Sequence, residues 1–160
     1  ETPYKGETKV LHYLEFLRDE VGFDTIKSKV VKPLNRKIAA YYGCLLLRPS
    51  KMMAFDNPEN PSLIEKFIAA LGGTPVSYAF KNECCGAYLS VKNPELTKAK
   101  SRKILHSAAE TGAEEIATVC PLCHYNLKEN TCEDGAPKVI DLPALIVEAL
   151  GGEEAEGGNV

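Results

Sequence analysis

The sequence predicts an α/β protein with a small, mostly parallel four-stranded sheet, flanked by helices and preceded by an N-terminal helical lead-in. Two observations support this prediction. Short apolar segments alternate with longer segments whose apolar residues recur at helical spacing, which is typical of a parallel sheet with helices on both faces. Cysteines also cluster just after three of the four predicted strands, at the edge where open α/β sheets place their ligands.

The lead-in comprises residues 1–34. Apolar residues at helical spacing predict a helix over 9–21 that ends at Gly22, and Asp24 begins a shorter helix that ends before Pro33. Because both helices precede every predicted strand, we interpret the lead-in as a linker from an upstream domain.

The predicted domain covers residues 35–150 and alternates strands with helices. Strands are predicted over 37–42, 76–80, 116–119 and 138–142, and helices over 58–71, 93–110, from Pro121 onward and over 143–150. Asn93 and Pro94 are typical of a helix N-terminus, and the Gly72-Gly73 pair is typical of a helix end. The acidic, glycine-rich tail, residues 151–160, is predicted to be disordered.

Composition excludes several classes of function. The 160 residues are 44% hydrophobic and 26% charged, as in an ordinary globular domain, and the net charge of -3 gives no basis for binding nucleic acid. The apolar run 38–47 is too short to span a membrane. The polar start of the chain shows no signal peptide, so we expect a cytoplasmic protein, although Glu1 is not an initiator methionine and leaves room for an upstream segment.

Five of the six cysteines fall into three groups: Cys44, the adjacent pair Cys84 and Cys85, and the pair Cys120 and Cys123. Adjacent cysteines bridge each other only with strain, because neighbouring side chains diverge, but both can bind one inorganic object. A core of this size does not need disulfides, and the thiols are clustered rather than spread, which disfavours a disulfide framework. The grouping therefore predicts a metal centre in a reducing compartment.

The identity of the metal is a choice among three interpretations. Structural zinc takes four donors, usually from two paired motifs, and the adjacent Cys84 and Cys85 form a poor pair. Five thiolates suit an iron–sulfur cluster better, and Gly86 would let a cluster lie against the backbone. The segment Cys120-Pro-Leu-Cys-His124 also matches the pattern for c-type haem attachment, but that chemistry requires neither Cys44 nor the adjacent pair.

Other candidate residues carry weaker signals. Cys132 lies among acidic residues, where a reactive thiol is not expected, and we interpret it as a surface residue. His124 is interpreted either as a hydrogen-bonding or proton-handling group beside the last thiol or as a helix-surface residue. Arg48 and Lys51 are candidates for attracting an anionic substrate, and the cationic run within 93–110 is interpreted as a solvated helix face.

The cysteine pattern resembles that of the cysteine-rich CCG domain family. The resemblance rests on Cys44, the Cys84-Cys85-Gly86 motif and the Cys120-x-x-Cys123 motif, in that order and at that spacing. The domain occurs in the B subunit of heterodisulfide reductase and in iron–sulfur subunits of glycolate oxidase, lactate utilisation proteins and anaerobic glycerol-3-phosphate dehydrogenase. The segment 41–50 and the lead-in are most similar to the heterodisulfide reductase B subunit, and specifically to its C-terminal half.

The resemblance implies an oxidoreductase subunit that is active only within a complex. It implies a noncubane [4Fe-4S] cluster whose ligands are Cys44, Cys84, Cys85, Cys120 and Cys123. It also implies that this cluster and a second one in an N-terminal CCG domain of the same subunit split a small disulfide reductively. Electrons would come from an FAD-containing A subunit through a ferredoxin-like C subunit.

Two departures from the family pattern leave the substrate and any proton donor open. Leu45 stands where some relatives have histidine, and Ala87-Tyr88-Leu89 replaces a glycine-rich run that can follow the double cysteine. Some family members bind Zn²⁺ in one of their two domains. The alternative is therefore a non-catalytic zinc or cubane-cluster module for electron transfer or subunit docking, which would need only four of the thiols.

Overall fold

Four parallel strands form the central sheet of the computed structural model, which describes residue 3 and residues 6–131 and 135–152. The strands are β1 (Lys37–Tyr41), β2 (Thr74–Val76), β3 (Glu115–Thr118) and β4 (Lys138–Asp141), and their order in the sheet is β2-β1-β3-β4. In the register of the sheet, Ala39 of β1 is paired with Val76 of β2 and with Ile116 of β3. The predicted small parallel sheet is confirmed.

Seven α-helices occur in the described part of the chain: α1 (Tyr13–Phe16), α2 (Phe23–Ser28), α3 (Ser50–Met53), α4 (Leu63–Ala70), α5 (Pro94–Ala109), α6 (Pro121–Glu129) and α7 (Leu142–Ala149). A π-helical turn, Leu17–Val21, continues α1, and a 3₁₀ turn, Ala87–Leu89, follows the double cysteine. The predicted cap of α5 is present, since the Leu96 N–H donates to Asn93 Oδ1 at 3.2 Å.

The side chains of β1 alternate between two cores. Ile38 and Ala40 pack in a first core with α4, α7 and the N-terminal helices. Ala39 and Tyr41 pack in a second core with α5 and α6. Because both faces of the sheet are covered, the four residues of β1 after Lys37 are all apolar and buried rather than alternating with polar residues.

The direction of the chain across the sheet changes between β1 and β3. The connection through α4 places β2 on one side of β1, whereas the connection through α5 places β3 on the other side, with β4 beyond it. A crevice opens beyond the carboxyl ends of two adjacent strands whose connections diverge in this way. Cys44 and Cys120 follow these two strands.

Two predicted elements have different bounds in the structure. The predicted strand 76–80 is wrong in its extent: β2 ends at Val76, and the backbone then turns so that Tyr78 enters the second core. The predicted helix 58–71 begins only at Leu63, because Asp56 Oδ2 accepts hydrogen bonds from the N–H groups of Ser62 and Leu63, both at 2.7 Å, and holds the preceding residues in a turn.

The lead-in packs against the domain. Its helix starts later than predicted, at Tyr13, because His12 caps it, and its residues Leu14 and Ile26 are buried in the first core. Its role as a linker from an upstream domain stays a prediction. The tail 151–160 is predicted to be disordered, and its residues 153–160 lie outside the described residues. Cys132 also lies outside them.

Candidate metal centre

Five thiols line one pocket beyond the carboxyl ends of β1 and β3: Cys44, Cys84, Cys85, Cys120 and Cys123. None of them is in a disulfide. The Sγ atoms of Cys44 and Cys84 lie 3.6 Å apart, and those of Cys85 and Cys123 lie 3.5 Å apart. The structure thus brings together all five residues singled out in the sequence, whose role as metal ligands stays a prediction.

Cys44 and the pair Cys120 and Cys123 reach the pocket directly from the sheet. Gly43, between β1 and Cys44, has a φ of +65°, and a Cβ added there would lie 3.1 Å from Cys123 Sγ. Glycine is therefore needed both for the backbone conformation and for room beside a thiol. Cys120 caps α6 and Cys123 lies in its first turn, so the Cys-x-x-Cys spacing directs both thiols to the same side of the helix.

Cys84 and Cys85 belong to an irregular segment, residues 77–86, which we call the loop segment. It begins where β2 ends and passes the carboxyl end of β1, where the Tyr42 N–H donates to Lys81 O at 2.8 Å. It ends at Gly86, whose φ is +82°. The Gly86 N–H donates to Cys84 Sγ at 3.4 Å, so the turn at the glycine also provides a hydrogen bond to a thiol.

Side chains from three different elements hold the backbone of the loop segment. Each donates to one of its carbonyl oxygens: Tyr41 Oη of β1 to Glu83 at 2.7 Å, Asn126 Nδ2 of α6 to Cys85 at 2.9 Å, and Thr97 Oγ1 of α5 to Gly86 at 3.0 Å. These side chains satisfy the carbonyl groups of Glu83 and Cys85, and the Gly86 carbonyl also accepts from the Leu89 N–H at 2.8 Å. The adjacent thiols are therefore positioned by tertiary contacts rather than by secondary structure.

An ion pair ties the loop segment to α4. Lys81 Nζ donates to Glu65 Oε1 at 2.7 Å and to Pro61 O at 2.6 Å, and the Lys81 and Glu65 side chains are only 13% and 17% exposed. The Tyr42 hydroxyl donates to the other carboxylate oxygen of Glu65. Asn82 Nδ2 adds a hydrogen bond to Pro58 O at 2.8 Å.

The crowded thiols change one another's acidity. A hydrogen bond from Cys123 lowers the pKa of Cys85 to about 6, and the same contact raises the pKa of Cys123. Burial, followed by the contact with Cys84, raises the pKa of Cys44 to about 11. The contact between Cys85 and Cys123 therefore favours one thiolate over two, because neighbouring negative charges disfavour one another.

The family model described as a cysteine-rich domain, CCG, matches residues 38–128, which is more than half of the chain and includes all five thiols. The chain belongs to this cysteine-rich domain family. The match covers β1 through most of α6, the part of the fold that positions the pocket.

Several relatives of this cysteine-rich domain are reductase subunits. The chain is 37% identical over 125 residues to the B subunit of the Ferredoxin/F(420)H(2)-dependent CoB-CoM heterodisulfide reductase of Methanosarcina acetivorans, and the match covers 76% of this chain and 41% of that protein. It is 35% identical over 125 residues to the 8-methylmenaquinol:fumarate reductase membrane anchor subunit of Wolinella succinogenes, covering 78% and 43%. It is 32% identical over 124 residues to the B subunit of the Ferredoxin:CoB-CoM heterodisulfide reductase of Methanosarcina mazei, covering 76% and 41%.

The chain spans less than half the length of these curated relatives. It therefore corresponds to one portion of proteins that contain more than this cysteine-rich domain. Within the described residues, none of the helices combines the length and the apolar character that crossing a bilayer requires.

The mouth of the thiol pocket is apolar. Leu45, Tyr88 and Leu122 line it and are 50%, 66% and 52% exposed. Tyr125, one helical turn after Leu122, is also exposed. Large apolar side chains that surround the opening of a site are typical of a surface that contacts another molecule.

Other residues considered in the sequence lie beside the pocket rather than in it. His124 Nδ1 lies 3.1 Å from Asp141 Oδ1 and 3.2 Å from Thr118 Oγ1, so its ring is directed towards the end of β4. Arg48 Nη1 donates to Asn82 O at 3.3 Å. The cationic run of α5 is not wholly solvated, because Lys103 Nζ lies 4.1 Å from the centroid of the Phe80 ring.

The residues that hold the loop segment were not found from the sequence. Tyr41 and Thr97 gave no signal, because a strand tyrosine and a helix threonine are expected at many positions. Asn126 did give a signal in the sequence, because it follows Cys123 by three positions on the same predicted helix, which places a polar side chain beside the site. Such spacing is a usable sign of a residue that supports a metal ligand.

The potential metal ligands in this pocket are five thiols. Within the described residues, no three Cys, His, Asp or Glu side chains converge on one point where a single ion would be bound. The thiols instead form two close pairs, with Cys120 beside them in the same pocket. Soft thiolates are the ligand type that both zinc and iron–sulfur clusters use, and five of them exceed the four donors that one structural zinc takes.

Proposed function

We propose that the chain is one domain of a heterodisulfide reductase-like iron–sulfur subunit. In this proposal Cys44, Cys84, Cys85, Cys120 and Cys123 hold a noncubane [4Fe-4S] cluster that serves to reduce a small disulfide. The observation that carries the proposal is the presence of five thiols in one pocket of a chain whose relatives include heterodisulfide reductase B subunits.

When bound, such a cluster supplies electrons at the mouth of the pocket, where a disulfide would need two electrons and two protons to become two thiols. The residues of the chain provide the setting. Gly43 leaves space beside Cys123, and the loop segment is fixed so that Cys84 and Cys85 reach the pocket together. Leu45, Tyr88 and Leu122 form an apolar entrance, which favours an apolar contact over water.

The proposal includes partners, because the chain spans less than half of the relatives' length. We assign the apolar entrance to contact with a second, N-terminal CCG domain of the same subunit. Electrons would come from an FAD-containing A subunit through a ferredoxin-like C subunit, and the complex would operate in the cytoplasm. Activity is thus expected from the assembled complex and not from this chain alone.

The test is anaerobic purification followed by iron, sulfide and zinc analysis, visible absorption and electron paramagnetic resonance. We expect about four iron and four sulfide per chain, as the formula of such a cluster requires. Cys44→Ser should lose iron or change the resonance spectrum. Cys132→Ser, which alters the cysteine outside the proposed ligand set, is the control and should retain both.

A colourless protein with one zinc and no sulfide would refute the proposal. A Cys44→Ser variant with wild-type iron content and spectrum would remove Cys44 from the ligand set. Disulfide reduction should then be assayed in the assembled complex, with the single-domain protein as the inactive reference.

A non-catalytic zinc module is the second candidate function. The Sγ–Sγ distances of 3.6 and 3.5 Å within the two close pairs favour it, since a tetrahedral site with zinc–sulfur bonds of standard length has an edge of about 3.8 Å. Zinc would, however, leave one of the five thiols without a role. It would also require the two pairs to approach each other, because no three donors among the described residues converge on one point.

A further inference from the structure

Cys84 lines two cavities of the molecule. One is the thiol pocket, and the other is a cleft of about 230 Å³ between the loop segment and α5. Within the described part of the chain, Cys84 is the one residue that the two cavities share. The cleft is separate from the apolar entrance, since none of Leu45, Tyr88 and Leu122 lines it. A thiol of the proposed ligand set therefore borders a second surface of the protein.

One face of α5 forms a wall of this cleft. The wall consists of residues at helical spacing, namely Leu96, Ala99, Lys100, Lys103 and Ile104. Phe80 and Glu83 of the loop segment complete the lining together with Cys84. Leu96 is 40% exposed, so an apolar side chain lies at the surface beside charged ones. Such a combination is typical of a surface that contacts another protein.

Two lysines give the cleft an excess of positive charge. Lys100 and Lys103 form no ion pair with any of the described residues, and Glu83 is the one anion among the residues that line the cleft. Lys103 Nζ lies 4.1 Å from the centroid of the Phe80 ring. The stem of Lys100 lies against Gly86, because a Cβ added to that glycine would be 3.1 Å from Lys100 Cδ. Both side chains are thus held at the cleft without a carboxylate partner, and an acidic surface would complement them.

We propose that this cleft is the docking site of an acidic electron-donor protein, and that electrons enter the bound cluster beside Cys84. The inference rests on the proposed function, which assigns the apolar entrance to the second CCG domain and so leaves the donor to bind at another surface. The donor transfers one electron to the cluster, and no bond or proton is exchanged at the cleft. Charge complementarity of this kind raises the rate of association and makes that rate depend on salt.

The first test needs no cluster. In the metal-free protein, Cys84 is alkylated with anionic iodoacetate and with neutral iodoacetamide, and mass spectrometry measures both rates at this residue. The ratio of the two rates does not depend on the acidity of the thiol, because both reagents react with the same thiolate. Lys103→Glu should lower the ratio of the iodoacetate rate to the iodoacetamide rate about threefold, because an anion replaces a cation at the cleft.

Lys98→Glu is the matched control for this test. It makes the same change of charge on the same helix, but Lys98 does not line the cleft. The alkylation ratio at Cys84 should therefore stay near the wild-type value. Circular dichroism verifies that each variant is folded.

The second test follows reduction of the iron-loaded protein by stopped-flow absorption. The electron donors are a reduced acidic ferredoxin and the methyl viologen radical, which carries a positive charge. Combining Lys100→Glu with Lys103→Glu should slow reduction by the ferredoxin about tenfold at low ionic strength, and should not slow reduction by methyl viologen. Added salt should decrease the difference between wild type and the double variant. If the double variant does not fold, Lys103→Glu alone should show a smaller effect in the same direction.

An alkylation ratio at Cys84 that is the same in wild type and Lys103→Glu would overturn this inference, as would an equal fall in Lys98→Glu. A ferredoxin rate that the cleft variants leave unchanged would also overturn it, and so would equal slowing with both electron donors. Wild-type protein without iron and sulfide would instead overturn the proposed function, and the alkylation ratio would still decide whether the cleft attracts anions.

Discussion

The two cysteine pairs reach the pocket by different structural means. Cys120 and Cys123 lie at the junction of β3 and α6, where regular backbone hydrogen bonds such as His124 N–H to Cys120 O, at 2.9 Å, set their geometry. Cys84 and Cys85 lie in the loop segment, three of whose carbonyl groups accept hydrogen bonds from side chains of β1, α5 and α6.

The difference shows what each pair requires of the rest of the chain. A strand–helix junction is determined by the residues within it, so the pair at the junction keeps its spacing whenever β3 and α6 form. The loop segment keeps its shape only while its tertiary contacts persist, and such segments open at lower free energy than the regular elements around them. Substitutions at those contacts should thus affect Cys84 and Cys85 first.

The largest effect is expected from Lys81→Met. This change removes the ion pair with Glu65 and leaves that carboxylate, only 17% exposed, without its cation. Breaking a largely buried pair from one side should lower the free energy of unfolding by about 2–3 kcal/mol. Urea unfolding of the metal-free protein measures this value.

Lys66→Met is the control for that prediction, because Lys66 lies on the same helix as Glu65 but is exposed. Its effect should stay within about 0.5 kcal/mol. Equal losses in the two variants would show that the ion pair does not anchor the loop segment. Hydrogen exchange should rise in the loop segment of Lys81→Met and remain low in α6.

Sequence reasoning found the five thiols and the parallel sheet because both depend on local signals. The apolar run before Cys120 predicts a strand, and Pro121 directly after Cys120 predicts the start of a helix. This order alone places Cys120 at a strand–helix junction. The strand–helix alternation then predicts a parallel sheet, but it does not determine the order β2-β1-β3-β4.

The extent of β2 and the path of the loop segment were not predictable in the same way. Val76–Phe80 is apolar enough to be a strand, but Tyr78 and Phe80 are used to cover the second core rather than to extend the sheet. What holds the segment is a set of single hydrogen bonds from residues far away in the sequence, and periodicity carries no information about such pairs. The residues that support the site were therefore missed although its thiols were found.

The second prediction concerns Gly86→Ala. Gly86 has a φ of +82°, and a Cβ there would lie 3.1 Å from Lys100 Cδ and 3.5 Å from Thr97 Cα. The left-handed conformation alone should cost about 1–2 kcal/mol. Gly22→Ala is the control for a positive φ without a steric contact, because Gly22 has a φ of +80° with nothing within 4 Å; its ψ is 148°, whereas that of Gly86 is 14°. Both variants should lose stability, but only Gly86→Ala should lose bound metal; equal metal content in the two would contradict this expectation.

The third prediction contrasts two buried tyrosines. Tyr41→Phe removes the donor to Glu83 O and should cost about 1 kcal/mol, because that carbonyl of the loop segment loses its partner. Tyr78 is 7% exposed, and its hydroxyl has no hydrogen-bond partner among the described residues, so Tyr78→Phe should be neutral or stabilising. Thermal unfolding of both variants tests the contrast, and a loss in Tyr78→Phe equal to that in Tyr41→Phe would refute it.

The smallest effect is expected far from both cysteine pairs, where Arg36 pairs with Glu115 and Glu148, each at 2.7 Å. The hydrogen bond from Arg36 lowers the pKa of Glu148 below its ordinary value of 4.5. The ionised Glu148 carboxylate therefore stabilises the folded state fully at pH values above 4.5, and this contribution is lost as the pH falls through the lowered pKa of Glu148. Solvent screening keeps the effect small. Free energies of unfolding measured from neutral to acidic pH should fall less steeply in Glu148→Gln than in wild type. Hydrogen exchange in both cysteine segments should be unchanged. The same dependence of the unfolding free energy on pH in both proteins would show that this pair does not contribute.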